Sequence, residues 1–142
     1  MTTGTMTTML ADAMDRLVPP IEGLPGAGAM GLASAVEQLA RRHPPYQRAL
    51  LAFTGKLAAA RWATALTDAE KDALLGDLET ADGATFAAVL ELVYLAYYGD
   101  PRVHERVGWR GGPLQPEGFA LPPFDPDILQ VARQRKPFWR PV

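Results

Sequence analysis

Residues 85 to 109 read TFAAVLELVYLAYYGDPRVHERVGW, and the stretch from Thr85 to Tyr98 decides the fold. Phe86, Val89, Leu90, Val93 and Tyr97 recur at helical spacing. Ala87, Leu92, Tyr94, Leu95 and Tyr98 fill the remaining faces, which leaves Glu91 as the only charge. A helix that is apolar all round has to be covered all round, so this one is expected at the centre of a core. It is too short to be read as a membrane span, which takes about 20 apolar residues, and a carboxylate interrupts it. Gly99 stands where a helix C-cap favours positive φ, and Asp100 with Pro101 is expected to stop the helix. That leaves two phenols, Tyr97 and Tyr98, at the mouth of the stop.

Working upstream, the same logic yields four more helices. Thr7 and Thr8 are suited to cap a first helix that ends near Leu17, with Met9, Leu10, Ala13, Met14 and Leu17 as its apolar stripe. Pro19 and Pro20 end it. Gly23, Pro25, Gly26 and Gly28 then make a loop able to approach another backbone closely. Gly26, Gly28 and Gly31 match the spacing of a dinucleotide-binding loop, but that motif requires a preceding strand and here a helix precedes it. A second helix spans about Leu32 to Arg42, with Arg41, Arg42 and His43 at the negative end of its dipole. Pro44 and Pro45 break it and open a third, running to about Ala63, in which Gly55 is expected to mark a close helix crossing. Thr67 to Glu70 is a capping box that opens a fourth helix with Leu74, Leu75 and Leu78 inward. No window alternates long enough to form a sheet. The expected fold is therefore all-α: a five-helix domain over residues 1–99 and an extended arm over 100–142.

The 44 residues from Gly99 onward hold five Gly and eight Pro but also Trp109, Phe119, Phe124, Phe138 and Trp139. Disordered segments are usually poor in aromatics, so the coil is expected to lie against the domain or a partner. Inside it a short helix from about Asp127 to Gln134, capped by Asp125, is expected. Beyond Asp127 the chain carries Arg133, Arg135, Lys136 and Arg140 and no acidic residue. Trp and Arg dominate interface hot spots, which favours docking for this basic, aromatic tail over simple solvation.

Composition narrows the function. A net charge of −2 with both signs interleaved gives no general attraction to nucleic acid or membrane surfaces. The absence of cysteine excludes disulfides, thiolate chemistry, Cys-ligated zinc and iron–sulfur clusters. His43 and His104 are the only candidates for a neutral-pH acid or base, and Ser34, the single serine, lies within a helix without a neighbouring histidine. Asp100, His104 and Glu105 have metal-like spacing but no second histidine nearby. The chain is expected to perform no chemistry itself.

A resemblance sharpens this expectation. Phe86 to Pro101, followed by Gly108, Trp109 and the Pro/Gly-rich coil, resembles the end of the gluconate 2-dehydrogenase subunit 3 family. The block Leu10 to Met30, with Asp15, Arg16, Leu17, Val18, Pro19 and Pro20, then Gly23, Leu24, Pro25, Gly26 and Ala27, resembles its opening. The two blocks fall in the family's order and cover most of the chain. The resemblance implies a small, non-catalytic accessory subunit that stabilises a large FAD-dependent sugar or polyol dehydrogenase of the glucose–methanol–choline type. The large subunit would hold the FAD, with none in this chain, and pass electrons to a cytochrome or another acceptor. Members often carry a twin-arginine export signal. Met1 to Met9 has no basic residue and Arg41-Arg42 lies mid-chain, so the chain as written is expected in the cytoplasm, or in the periplasm if an export signal has been removed.

Side-chain type and position nominate Tyr97, Tyr98, Arg102, Trp109, Phe138, Trp139 and Arg140 as partner-binding residues. Pro19, Gly23, Pro25, Gly26, Gly99, Asp100 and Pro101 are expected to set the backbone. The alternative is a stand-alone ligand-binding protein or enzyme, with Tyr94, Tyr97 and Tyr98 lining one pocket between the central helix and the coil.

Overall fold

A computed structural model describes residues 3–112, 118, 120 and 123–135. The chain divides into two compact units, Met1–Gly111 and Gly112–Val142. The structure is mostly helical, and among the described residues the only β pairing is an isolated bridge between Ile21 and Leu24.

The first unit runs α1 (Thr3–Leu17), α2 (Ala33–Arg42), α3 (Pro44–Ala59), α4 (Trp62–Ala65), α5 (Asp68–Ala81), α6 (Gly83–Tyr98) and α7 (Pro101–Arg106). The five long helices lie where periodicity places them, and the short α4 and α7 are additional. Two apolar clusters share α1 and α6. One joins Leu10 and Met14 of α1 to Val36 and Ala40 of α2, Leu92 and Val93 of α6, and Val103 of α7. The other joins Met9 and Ala13 to Phe53 and Leu57 of α3, Trp62 of α4, Leu75 of α5 and Val89 of α6. Helix α6 packs against α2, α3 and α5.

Local chemistry explains most boundaries. Thr67 accepts from the Glu70 backbone N–H and Glu70 accepts from that of Thr67, the reciprocal box expected at the start of α5. Asp82 accepts from Thr85 N–H to cap α6 and pairs with Lys56 of α3 at 3.1 Å. The loop between α1 and α2 does approach another backbone: a Cβ at Gly28 would collide with the Ala11 carbonyl. Asp15 accepts from Ala29 N–H at 2.9 Å, and a Cβ at Gly26 would collide with that carboxylate. Arg16 reaches across to Asp68 and Asp72, tying α1 to the start of α5.

Several expectations are corrected. Helix α1 begins at Thr3 rather than at Thr7 or Thr8, and Thr7 instead donates to Glu37 of α2 at 2.9 Å. Helix α3 ends at Ala59, not near Ala63, because Arg61 adopts a left-handed φ of 55°. That kink turns Trp62 fully into the core, where its indole donates to Asp12 at 2.6 Å. Lys71 binds the same carboxylate at 2.7 Å and lies over the indole. Left-handed backbone costs an L-residue roughly 1–2 kcal/mol; emptying a buried Trp site costs about 3–5 kcal/mol, so burial wins. Gly55 is exposed with nothing within 4 Å of a Cβ placed on it, so it marks no crossing.

Gly99 has φ −83°, not a positive value; its want of a side chain spares a clash with the Leu95 carbonyl, 2.8 Å from a Cβ there. The central helix does stop at Tyr98 as expected, but Pro101 then opens a further helix, α7, at a first-turn position, with Asp100 as its cap. The compact unit therefore runs to Gly111 instead of ending at residue 99, and Val103 of α7 is part of its core.

In the second unit Asp125 accepts from Asp127 N–H at 2.9 Å, the cap expected there. It opens a 3₁₀ turn, Pro126–Leu129, followed by the single α-turn α8, Gln130–Arg133.

Candidate functional site

Helix α6 is not covered all round. Val89, Leu92, Val93, Ala96 and Tyr97 are buried, but on the opposite side Tyr94 is 42% exposed, Leu95 51% and Tyr98 59%. Ala87, Glu91, Tyr94 and Tyr98 follow one another at spacings of four, three and four, which puts them on one stripe of the helix. With Leu90, Leu95 and Gly99 they line a shallow, open apolar groove. The Tyr94 and Tyr98 rings lie 6.0 Å apart along it. Glu91, its one charge, acts on the Tyr46 hydroxyl of α3 and raises that phenol above its usual value.

The lower end of the stripe is fixed by α7. His104 Nε2 lies 2.6 Å from the Tyr98 carbonyl oxygen, so that nitrogen carries the hydrogen and donates. Trp109 N–H donates to the His104 carbonyl at 2.9 Å, and the two rings meet edge to face at 4.3 Å. Arg102 grips Asp100 through two bonds of 2.8 Å and donates to the Met30 carbonyl at 2.9 Å. The guanidinium holds the Asp100 carboxyl below its ordinary value. Arg106 donates to the Glu22 carbonyl, so both arginines staple α7 to the loop that follows α1.

Of the nominated contact residues, Tyr98 and Trp109 are exposed. Arg102 is half-exposed but engaged within the chain. Tyr97 is only 5% exposed and belongs to the core, its ring edge-on to Tyr98 at 5.2 Å. The three tyrosines of the alternative reading therefore do not line one pocket, because Tyr97 faces inward while Tyr94 and Tyr98 face out. Phe138, Trp139 and Arg140 lie outside the described residues. Leu95, which residue type alone does not mark as a surface residue, is exposed, and so is Tyr94, expected only as a pocket wall. The four-three-four spacing was a usable signal, but the inner face carries an equally good helical stripe.

Among the described residues no three His, Cys, Asp or Glu side chains gather as a metal site, and no helix is long and apolar enough to cross a membrane. Asp100 and His104 are each committed to the contacts above. No protein-family profile, curated protein or solved structure matches the chain.

Proposed function

We propose that this chain is a non-catalytic accessory subunit that uses the outer stripe of α6 to bind and stabilise a large FAD-dependent sugar or polyol dehydrogenase. One observation carries the reading: a helix whose inner face is the core leaves Tyr94, Leu95 and Tyr98 in water on its outer face. Contiguous exposed apolar surface rimmed by polar groups marks interaction sites, and tyrosine is favoured in them because it offers apolar area with a polar tip. The kind of partner comes from the resemblance of the two sequence blocks to the gluconate 2-dehydrogenase subunit 3 family. On this reading the partner holds the FAD and hands electrons to a cytochrome or another acceptor. Trp109, beside the same helix end, extends the contact.

Affinity purification of the tagged chain from its native host tests this, followed by an absorption spectrum of the eluate. A stoichiometric larger partner with a flavin spectrum is expected, and it should be lost when Leu95→Asp and Tyr98→Asp are combined in a chain that still folds. Recovery of the chain alone, folded and colourless, would overturn the proposal.

A further inference from the structure

Away from the α6 stripe, α1, α2 and α3 border a cleft of about 260 Å³. Its floor is apolar: Leu10, Ala40 and Leu50 line it and are buried. Thr54 also lines it at 4% exposure, but its hydroxyl donates back to the Leu50 carbonyl at 2.8 Å, so the floor presents no spare donor. The polar groups at the walls are Glu37 and Arg41 of α2 and Gln47 of α3. Glu37 Oε1 already accepts from Thr7, and Arg41 makes no ion pair among the described residues.

We propose that this cleft binds a small uncharged amphiphile, an apolar body of about ten non-hydrogen atoms ending in a hydroxyl. The size follows from scale, since an apolar cavity of about 150 Å³ holds benzene. The head group follows from charge. A carboxylate can pair with Arg41 but then meets Glu37 and the negative end of the α2 dipole, where Arg41 sits in the last turn. An ammonium can pair with Glu37 but then meets Arg41. A hydroxyl can accept from Arg41 and donate to Glu37 at once, which neither ion can do. The apolar body displaces water from a floor that has nothing to offer it.

Titration of the isotope-labelled full chain with n-octanol, octanoate and octylammonium, followed by amide chemical shifts, tests the assignment. Octanol should give saturable shifts confined to amides around Leu10, Ala40 and Leu50, with at least tenfold tighter binding than either ion. Glu37→Gln should improve octanoate binding by about tenfold and Arg41→Gln should do the same for octylammonium, each by removing a like charge. Ala40→Leu should fill the cleft and abolish octanol binding; if that variant does not fold, the ranking of the three probes on the natural chain decides. Absence of saturation, shifts centred elsewhere, or an ion binding as tightly as octanol would overturn the proposal.

Discussion

On its inner face α6 carries Val89, Leu92, Val93, Ala96 and Tyr97, all buried; on its outer face it carries Ala87, Glu91, Tyr94, Leu95 and Tyr98, all exposed. Apart from Glu91, hydropathy alone does not separate the two sets. Shape and polar tips do. The inner set is mostly compact aliphatic side chains that interdigitate with α2, α3 and α5. The outer set holds one carboxylate and two phenols, groups whose polar ends stay in water while their bodies offer contact area. A largely apolar helix in a small domain thus presents two surfaces, one that makes the fold and one that stays in water.

Substitution can break this comparison most strongly at the core. Trp62→Ala is expected to cost about 3–5 kcal/mol of folding free energy, since it empties a fully buried site. Urea denaturation measures it, and a loss below 1 kcal/mol, roughly that of a surface change, would mean the left-handed turn at Arg61 is not held by this burial. Along α6 itself, Leu92→Ala should cost about 2–5 kcal/mol, whereas Leu95→Ala should stay within roughly 0.5 kcal/mol in the isolated chain. Equal costs in parallel denaturant titrations would erase the distinction between the faces.

Smaller effects sharpen the contrast between packing and polar ties. Thr67→Ala should cost about 1 kcal/mol by removing a cap, seen as a lower Tm. Acid should act only on the polar ties. Asp72 is held below its ordinary value by Arg16, Asp82 by Lys56, Asp100 by Arg102 and Glu70 by the Thr67 hydroxyl. A carboxyl whose folded value is depressed contributes stability above its unfolded value, and that contribution is lost as pH falls through the folded one. The ordinary values are 3.8 for Asp and 4.5 for Glu. The stability these four carboxylates contribute should therefore be lost below about pH 4, seen as a fall in Tm in thermal melts. The difference between Leu92→Ala and the natural chain should persist through that decline, because no proton is involved in it.

Elements whose ends rest on short-range chemistry were legible from their residues. Thr67 with Glu70, Asp125 with Asp127 and Pro45 in the first turn of α3 each act within four residues of themselves, and each was found in its expected role. What failed were inferences about what lies opposite. Gly55 and Gly28 look alike in the chain, yet Gly28 meets the Ala11 backbone while Gly55 meets nothing. Arg102 has the side chain of a contact residue, but the Met30 carbonyl, brought near by the fold, engages it. The candidate surface was legible in its residue types and not in its sidedness, which is why Tyr97 was nominated and Leu95 was not.

By itself the sequence determined that the chain is helical, where most helices start, and that its last long helix is apolar on nearly every face. Capping, proline geometry and periodicity act through neighbours on the same helix, so a single strand of residues encodes them. Only the tertiary structure decided that α3 breaks at Arg61 to bury Trp62, that Tyr97 turns inward, and that Tyr94, Leu95 and Tyr98 stay outside. Each of those outcomes depends on which distant side chains compete for the same buried volume, and close packing admits only one winner at each place.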